Sequence, residues 1–217
     1  MRVGTDGVML GAWANAIQAS KILDIGTGTG VIALMLAQRN KTARIDAIDI
    51  ENGAVADASL NFENSPWKNR LSLHQTSVQN YALQNRGTYD HIVCNPPFFN
   101  NSKKSLSHAK TLARHTESLT FNELLTSVSK LLQPLGRFSV ILPADSERLF
   151  CNEASLVRLF PGRITQVKPN DTKPVKRVLI EFRFEAVLET ENELIIETST
   201  RHIYTEAFQK MINVFYL

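Results

Sequence analysis

The chain has 217 residues, 43% of them hydrophobic, with two cysteines and a formal net charge of +3. That is enough apolar chain to bury one large core, and the overall charge is mild. No run approaches the roughly 18–20 apolar residues of a membrane span, and Asp6 with Gly4, Gly7 and Gly11 breaks up the N-terminal apolar stretch, so neither a span nor a signal peptide is expected. Cys94 falls on a predicted buried strand and Cys151 on a predicted helix. They have no metal-ligand spacing and make no disulfide framework, so both read as reduced and structural. No repeat, low-complexity segment or linker interrupts the chain, which reads as a single domain over 1–217.

The first predicted helix is Asp6–Asn15. A short strand, Ile22–Ile25, then runs into Gly26-Thr27-Gly28-Thr29-Gly30, and the helix Val31–Asn40 follows. Glycines at a strand-to-helix turn let a ligand approach the backbone closely. The spacing is G-x-G-x-G, not the G-x-G-x-x-G of dinucleotide binders, and no P-loop lysine follows. The second strand, Arg44–Ile48, leads to Asp49, 19 residues past Gly30. A carboxylate at that tip suits a ribose diol, each oxygen accepting one hydroxyl proton. A helix over Gly53–Asn64 and a strand over Leu71–Gln75 come next.

The strand His91–Cys94 ends in Asn95-Pro96-Pro97-Phe98. Each proline fixes its own φ and restricts the residue before it, so this is a rigid hook. It holds out the Asn95 carboxamide and the Pro96 carbonyl as acceptors, with the flat face of Phe98 beside them. Such a device grips a planar group that carries an NH2. The segment from Asn100 to Thr116 then holds Lys103, Lys104, Lys110, Arg114, His108 and His115 and no acid.

A helix over Phe121–Leu132, a strand over Gly136–Leu142 and a helix over Glu147–Leu159 follow. The strands Ile164–Val167 and Lys176–Phe184 are joined by a link too short for a crossover helix, so they should be antiparallel. From Arg163 to Arg177 the chain adds Arg163, Lys168, Lys173, Lys176 and Arg177 against Asp171 alone. A strand over Glu193–Glu197 and a helix over Thr205–Val214 close the chain.

The alternation predicts an α/β fold with a mostly parallel sheet and helices on both faces. Both basic loops should then lie at the carboxyl edge of the sheet, where open α/β sheets bind ligands. That is the electrostatic footprint of a phosphate backbone. His74 and His91 read as strand-end or surface residues, and no metal site is expected.

Together these motifs resemble the class I S-adenosylmethionine-dependent methyltransferases, in the amino-methylating branch that carries N-P-P-aromatic. The segments Arg2–Trp13, Ala113–Leu119, Pro174–Leu179 and Phe215–Leu217 are similar to the bacterial N6-adenine methyltransferases that act on valine tRNA. The resemblance implies a Rossmann-like, mostly parallel seven-stranded sheet ending in an antiparallel C-terminal hairpin. It also implies S-adenosyl-L-methionine as the cofactor, with S-adenosylhomocysteine as product and no metal. The substrate it implies is the exocyclic amine of the adenine next to the anticodon of valine tRNA, in the cytoplasm, with no obligate protein partner. Thr5, Asp24, Gly26, Gly28, Gly30, Asp49, Ser77, Val78 and Asn95 would bind the cofactor. Asn95, Pro96, Pro97 and Phe98 would carry the catalysis. Lys103, Lys104, Lys110, Arg114, Lys173, Lys176 and Arg177 would bind RNA.

The chain departs from the family in two places. Members usually carry a further stretch before the Val-Gly-Thr-Asp segment. They also often place an acid beside the cofactor adenine, where this chain has Thr76-Ser77-Val78. The other readings are methylation of a base amine in rRNA or DNA, methylation of a protein glutamine amide as in release-factor methyltransferases, an NAD oxidoreductase, and a non-catalytic RNA-binding module. The basic loops favour RNA over a protein amide. The glycine spacing and the hook argue against NAD.

Overall fold

A computed structural model describes residues 4–97 and 119–215. Among them, eight strands form one sheet in the order β3-β2-β1-β4-β5-β7-β6-β8. The strands are β1 (Lys21–Ile25), β2 (Arg44–Asp49), β3 (Leu71–Gln75), β4 (Tyr89–Cys94), β5 (Leu132–Pro143), β6 (Phe160–Lys168), β7 (Arg177–Arg183) and β8 (Thr190–Ile195). Only β7 runs against its neighbours, so β6 and β7 make the expected antiparallel hairpin. The sheet has one strand more than the seven expected. The closing strand β8 pairs in parallel with β6 and so extends the sheet past the hairpin.

Seven α-helices accompany the sheet among the described residues: α1 (Thr5–Trp13), α2 (Val31–Arg39), α3 (Asn52–Glu63), α4 (Val78–Gln84), α5 (Phe121–Leu131), α6 (Glu147–Leu156) and α7 (Glu206–Ile212). The period-two alternation of the strands sends side chains to two core layers. Ile22 and Val93 meet α1, α2 and the end of α3 on one face, while Leu23, Ile92 and Cys94 meet α4, α5 and α6 on the other. The short helix α4 is not apparent in the sequence. It has seven residues, and its start is stabilised by Ser77, whose Oγ accepts a hydrogen bond from the Asn80 amide.

α1 closes across the sheet onto the C-terminal half. The Trp13 indole donates to Thr165 Oγ1 at 2.9 Å, and the Arg163 guanidinium lies 3.6 Å from the centre of the Trp13 ring. Near the other end of the helix, Arg177 Nε donates to Asp6 Oδ2 at 2.8 Å.

Asn40 knits the end of α2 to the link before β1. Its Nδ2 donates to the carbonyls of Ala16 at 2.8 Å and Ala19 at 2.7 Å, and its Oδ1 accepts the Thr42 and Ala43 amides at 2.9 and 2.7 Å. The side chain is buried, so removing it strands several polar groups away from water. Asn40→Ala should therefore cost about 3 kcal/mol of stability. The check is a lower urea midpoint with an unchanged denaturant slope.

Candidate active site

β1 is paired in parallel with β2 on one side and β4 on the other, and Ile25 is level with both Ile48 and Cys94. The residues just beyond, Gly26, Asp49 and Asn95, therefore stand in one row at the carboxyl edge, about 4.8 Å apart from strand to strand. The strand order also reverses between β1 and β4, the place where open α/β sheets take their ligands.

The glycine loop is pinned at its base, where the amides of Gly26 and Thr27 donate to the Ile48 carbonyl at 2.9 and 3.1 Å. Gly26 and Gly28 have φ of +68° and +58°, and a Cβ added to either would meet nothing within 4 Å. The outer side of the loop is thus bare backbone facing open space, as a ligand cradle requires. Gly30 differs. Its Cβ would lie 2.5 Å from the Phe62 ring, and it caps α2 in a left-handed conformation. The packing of α3 against the loop, with its left-handed φ, demands glycine here.

Two carboxylates hold the loop. Asp24 is fully buried; its Oδ2 accepts the Thr27 hydroxyl at 2.7 Å and the Ala33 amide at 3.2 Å. Its Oδ1 is buried without a hydrogen-bond partner among the described residues. Burial pushes the Asp24 carboxyl up to about 7, and the charge of Asp49 adds to the shift. Asp49 Oδ2 accepts the Gly28 amide at 2.9 Å and its Oδ1 accepts the Glu51 amide at 3.0 Å. A carboxylate has about four acceptor sites, so two remain for a diol. Ile50, which the sequence did not single out, follows with 62% of its surface exposed, an apolar face beside Asp49.

At the tip of β4, Asn95 Oδ1 is buried with no hydrogen-bond partner among the described residues. Pro96 is buried and Pro97 exposed. Phe98, Lys103, Lys104, Lys110 and Arg114 lie outside the described residues. Thr5 is exposed at the start of α1, one residue from the Asp6–Arg177 ion pair.

Three further expectations change with the structure. Val78 packs its side chain into the core; Ser77 accepts the Asn80 amide as the cap of α4 and keeps its hydroxyl proton to donate. Arg177 is tied to Asp6 within the fold instead of projecting toward a partner. His91 is buried, not at the surface: its Nε2 lies 3.0 Å from Ser139 Oγ, and burial pushes the imidazole down to about 4. Lys173 and Lys176 do sit exposed on the hairpin loop at the carboxyl edge. No group of three or more His, Cys, Asp or Glu side chains that could hold a metal occurs among the described residues. No helix among them is long and apolar enough to cross a membrane.

A reversing parallel sheet with a bare glycine loop, an acid on the second strand tip and a hook on the fourth defines a Rossmann-like methyltransferase. The same architecture occurs in a protein from Agrobacterium tumefaciens named a predicted O-methyltransferase, with a TM-score of 0.78 at 17% identity over 97% of this chain and 96% of that one. A geranyl diphosphate C-methyltransferase from Streptomyces coelicolor, solved with S-adenosyl-L-homocysteine, reaches a TM-score of 0.58 at 12% identity, over 76% and 71% of the two chains. Residues 6–141 match the methyltransferase small domain family. Over its full length the chain is 42% identical to a tRNA1(Val) (adenine(37)-N6)-methyltransferase of Christiangramia forsetii, covering 91% of that protein. It is 43% identical to one of Aliivibrio fischeri, again over 91%. The chain belongs to this family of adenine-N6 methyltransferases within the methyltransferase small domain proteins.

The buried Asp24 gives a pH test. Its carboxyl titrates near 7 when folded against an ordinary 3.8, so the folded state keeps a proton that the unfolded state has released. Its contribution is full below about pH 4 and is lost as pH rises through 7. His91 runs the opposite way, its stability contribution growing as pH rises from about 4 to its ordinary 6.5. The two offset each other in the native protein, so the difference between proteins is the readout. Relative to Asp24→Asn, the native protein should lose stability between about pH 4 and 7, by a few kcal/mol at most, in urea unfolding. A difference independent of pH would mean Asp24 is ionised throughout.

Proposed function

We propose that this protein transfers the methyl group of S-adenosylmethionine to the N6 amine of an adenine in tRNA, the adenine at position 37 of a valine tRNA named for its relatives. The observation that carries the reading is the Asn95 Oδ1 atom, buried and without a hydrogen-bond partner among the described residues, at the strand tip beside the open glycine loop. Bound S-adenosylmethionine supplies a methyl group already activated by its sulfonium. The chain's residues have to hold it and present the amine.

Gly26 and Gly28 offer bare backbone to the cofactor. Asp49 keeps two acceptor sites for its ribose hydroxyls, and Ile50 gives an apolar face for its adenine. The target amine is a poor nucleophile because its lone pair is delocalised into the ring. Asn95 Oδ1 and the Pro96 carbonyl accept its two protons, which shifts electron density to nitrogen and aims the lone pair at the methyl. The prolines hold both acceptors in place beforehand. Asn95 Oδ1 has no bond to break among the described residues when the amine arrives, and its dipole stabilises the positive charge that develops on nitrogen. The base must first leave its stack, and Phe98 is placed by sequence to receive it. Lys103, Lys104, Lys110, Arg114, Lys173 and Lys176 are assigned to the phosphate backbone. Such a substrate implies work in the cytoplasm.

Incubation with labelled cofactor and total tRNA, followed by digestion to nucleosides, should place the label on N6-methyladenosine. Label on protein, or none on RNA, would overturn the proposal.

Two substitutions separate binding from chemistry. Gly28→Val puts a branched side chain where backbone meets ligand and should abolish cofactor binding in calorimetry. Asn95→Ala should leave that affinity within a few-fold and cut methyl transfer by about 100-fold or more. Turnover unchanged in Asn95→Ala would remove the hook from the mechanism.

A further inference from the structure

We infer that the loop after β6 and the turn after β8 form a second RNA contact, a groove that grips the phosphate backbone of the substrate away from the reacting base. The inference rests on the tRNA reading above and extends it. β6 and β8 are parallel, so both end at the carboxyl edge. Along the sheet they are three and four strands from β4, roughly 14 and 19 Å from the hook at about 4.8 Å per strand. That spans about four to five nucleotides of a stacked strand.

An open groove of about 670 Å³ lies between the two segments. Its walls include Asn170, Lys173 and Lys176 from the hairpin loop, and Glu197, Ser199 and Arg201 from the turn. The backbone pins one wall to the other. The Ile196 amide donates to the Lys168 carbonyl at 3.0 Å, and the Glu197 amide to the Pro169 carbonyl at 2.9 Å. The turn itself closes through the Thr198 amide on the Ile203 carbonyl at 2.8 Å and the Glu197–Tyr204 bridge. These walls are therefore shaped before any partner arrives.

The chemistry of the walls is that of an anion site. Lys173, Lys176 and Arg201 are exposed and have no ion-pair partner among the described residues. Three cations face one carboxylate, an excess of +2. That carboxylate, Glu197, already accepts the His202 amide at 3.3 Å and lies 3.9 Å from the His202 ring. Asn170 Oδ1 is occupied by the Thr172 amide and hydroxyl, which leaves its NH2 as a donor. Tyr204, 43% exposed, and Ile203, 51% exposed, lie at the foot of the same turn. Cations interleaved with an exposed aromatic, on the edge that carries the hook, fit a nucleic-acid strand better than an acidic protein face.

The sequence pointed to the hairpin lysines but not to Arg201, because the pairing of β8 with β6 is what brings the turn to them. The test combines Lys173→Ala, Lys176→Ala and Arg201→Ala in the full chain. Binding is measured against salt for whole valine tRNA and for a short fragment with about three nucleotides on either side of the target adenine. For whole tRNA, affinity should fall about tenfold or more, and the log–log salt slope should flatten by about 2–3, near 0.7–0.9 per lost contact. Affinity for the short fragment, which does not reach the groove, and cofactor binding should stay within about two-fold. Arg201→Lys should keep the native slope, because it keeps the charge.

Whole-tRNA affinity and slope that survive all three substitutions would overturn the groove while leaving the proposed reaction standing. Equal losses for whole tRNA and the short fragment would overturn its placement away from the base. A native protein that binds no tRNA but captures acidic peptides would overturn both readings.

Discussion

Asp24 and Asp49 hold the glycine loop between them, Asp24 from beneath through the Thr27 hydroxyl and the Ala33 amide, Asp49 from the side through the Gly28 amide. Three of the loop's residues have left-handed φ, so no regular ladder can support it. The two carboxylates replace the ladder. Through Ala33, Asp24 also sets where α2 begins, and through Glu51, Asp49 sets how the chain leaves β2. The row of Asp49, Gly26 and Asn95 exists because β1 is bonded on both flanks, but its shape depends on these two acids. A ligand at this edge meets groups that are already in position.

The buried polar groups fall into two sets. Four buried side-chain atoms lack a partner among the described residues, and two of them, Asp24 Oδ1 and Asn95 Oδ1, lie at the carboxyl edge of neighbouring strands. Leaving such a group unpaired costs about 1–3 kcal/mol. In the other set the charges are paired, although Arg183 Nε lacks a hydrogen-bond partner among the described residues. Buried Glu181 faces Arg163 at 3.4 Å, Arg183 at 2.9 Å and Arg137 at 3.9 Å, while His91 is kept neutral against Ser139. One set holds the fold with paired charge. The other keeps acceptors in reserve, the pattern expected where strain is kept for function.

What the sequence revealed was local punctuation. The glycine run, the Asn-Pro-Pro hook and the acid after β2 are each contained within a few residues, and each stands where it was expected. Whatever needed a distant partner was hidden. Arg177 looked like free charge until α1 brought Asp6 to it, 171 residues away in sequence. His91 looked superficial because one histidine in an apolar run does not reveal that Ser139 waits on the next strand. Gly30 fitted a ligand motif, and its packing requirement came into view only with Phe62. α4 escaped because seven residues give too little periodicity; the closing strand was expected, but its place in the sheet was not, because its partner β6 lies across the hairpin.

The long-range closure of α1 has a consequence for biosynthesis. Trp13 meets Thr165 across 152 residues of chain. At roughly 5–20 residues per second, a ribosome needs about 10–30 s to make that stretch. For that time the nascent α1 has only its early neighbours, such as Arg39 on α2, which donates to the Gly11 carbonyl at 2.8 Å. The glycine loop, β1 and α2 can thus gather around a helix whose indole still lacks its native acceptor. The last third of translation then latches it down, so a stall before β6 emerges would leave the Trp13 side of α1 open to chaperones.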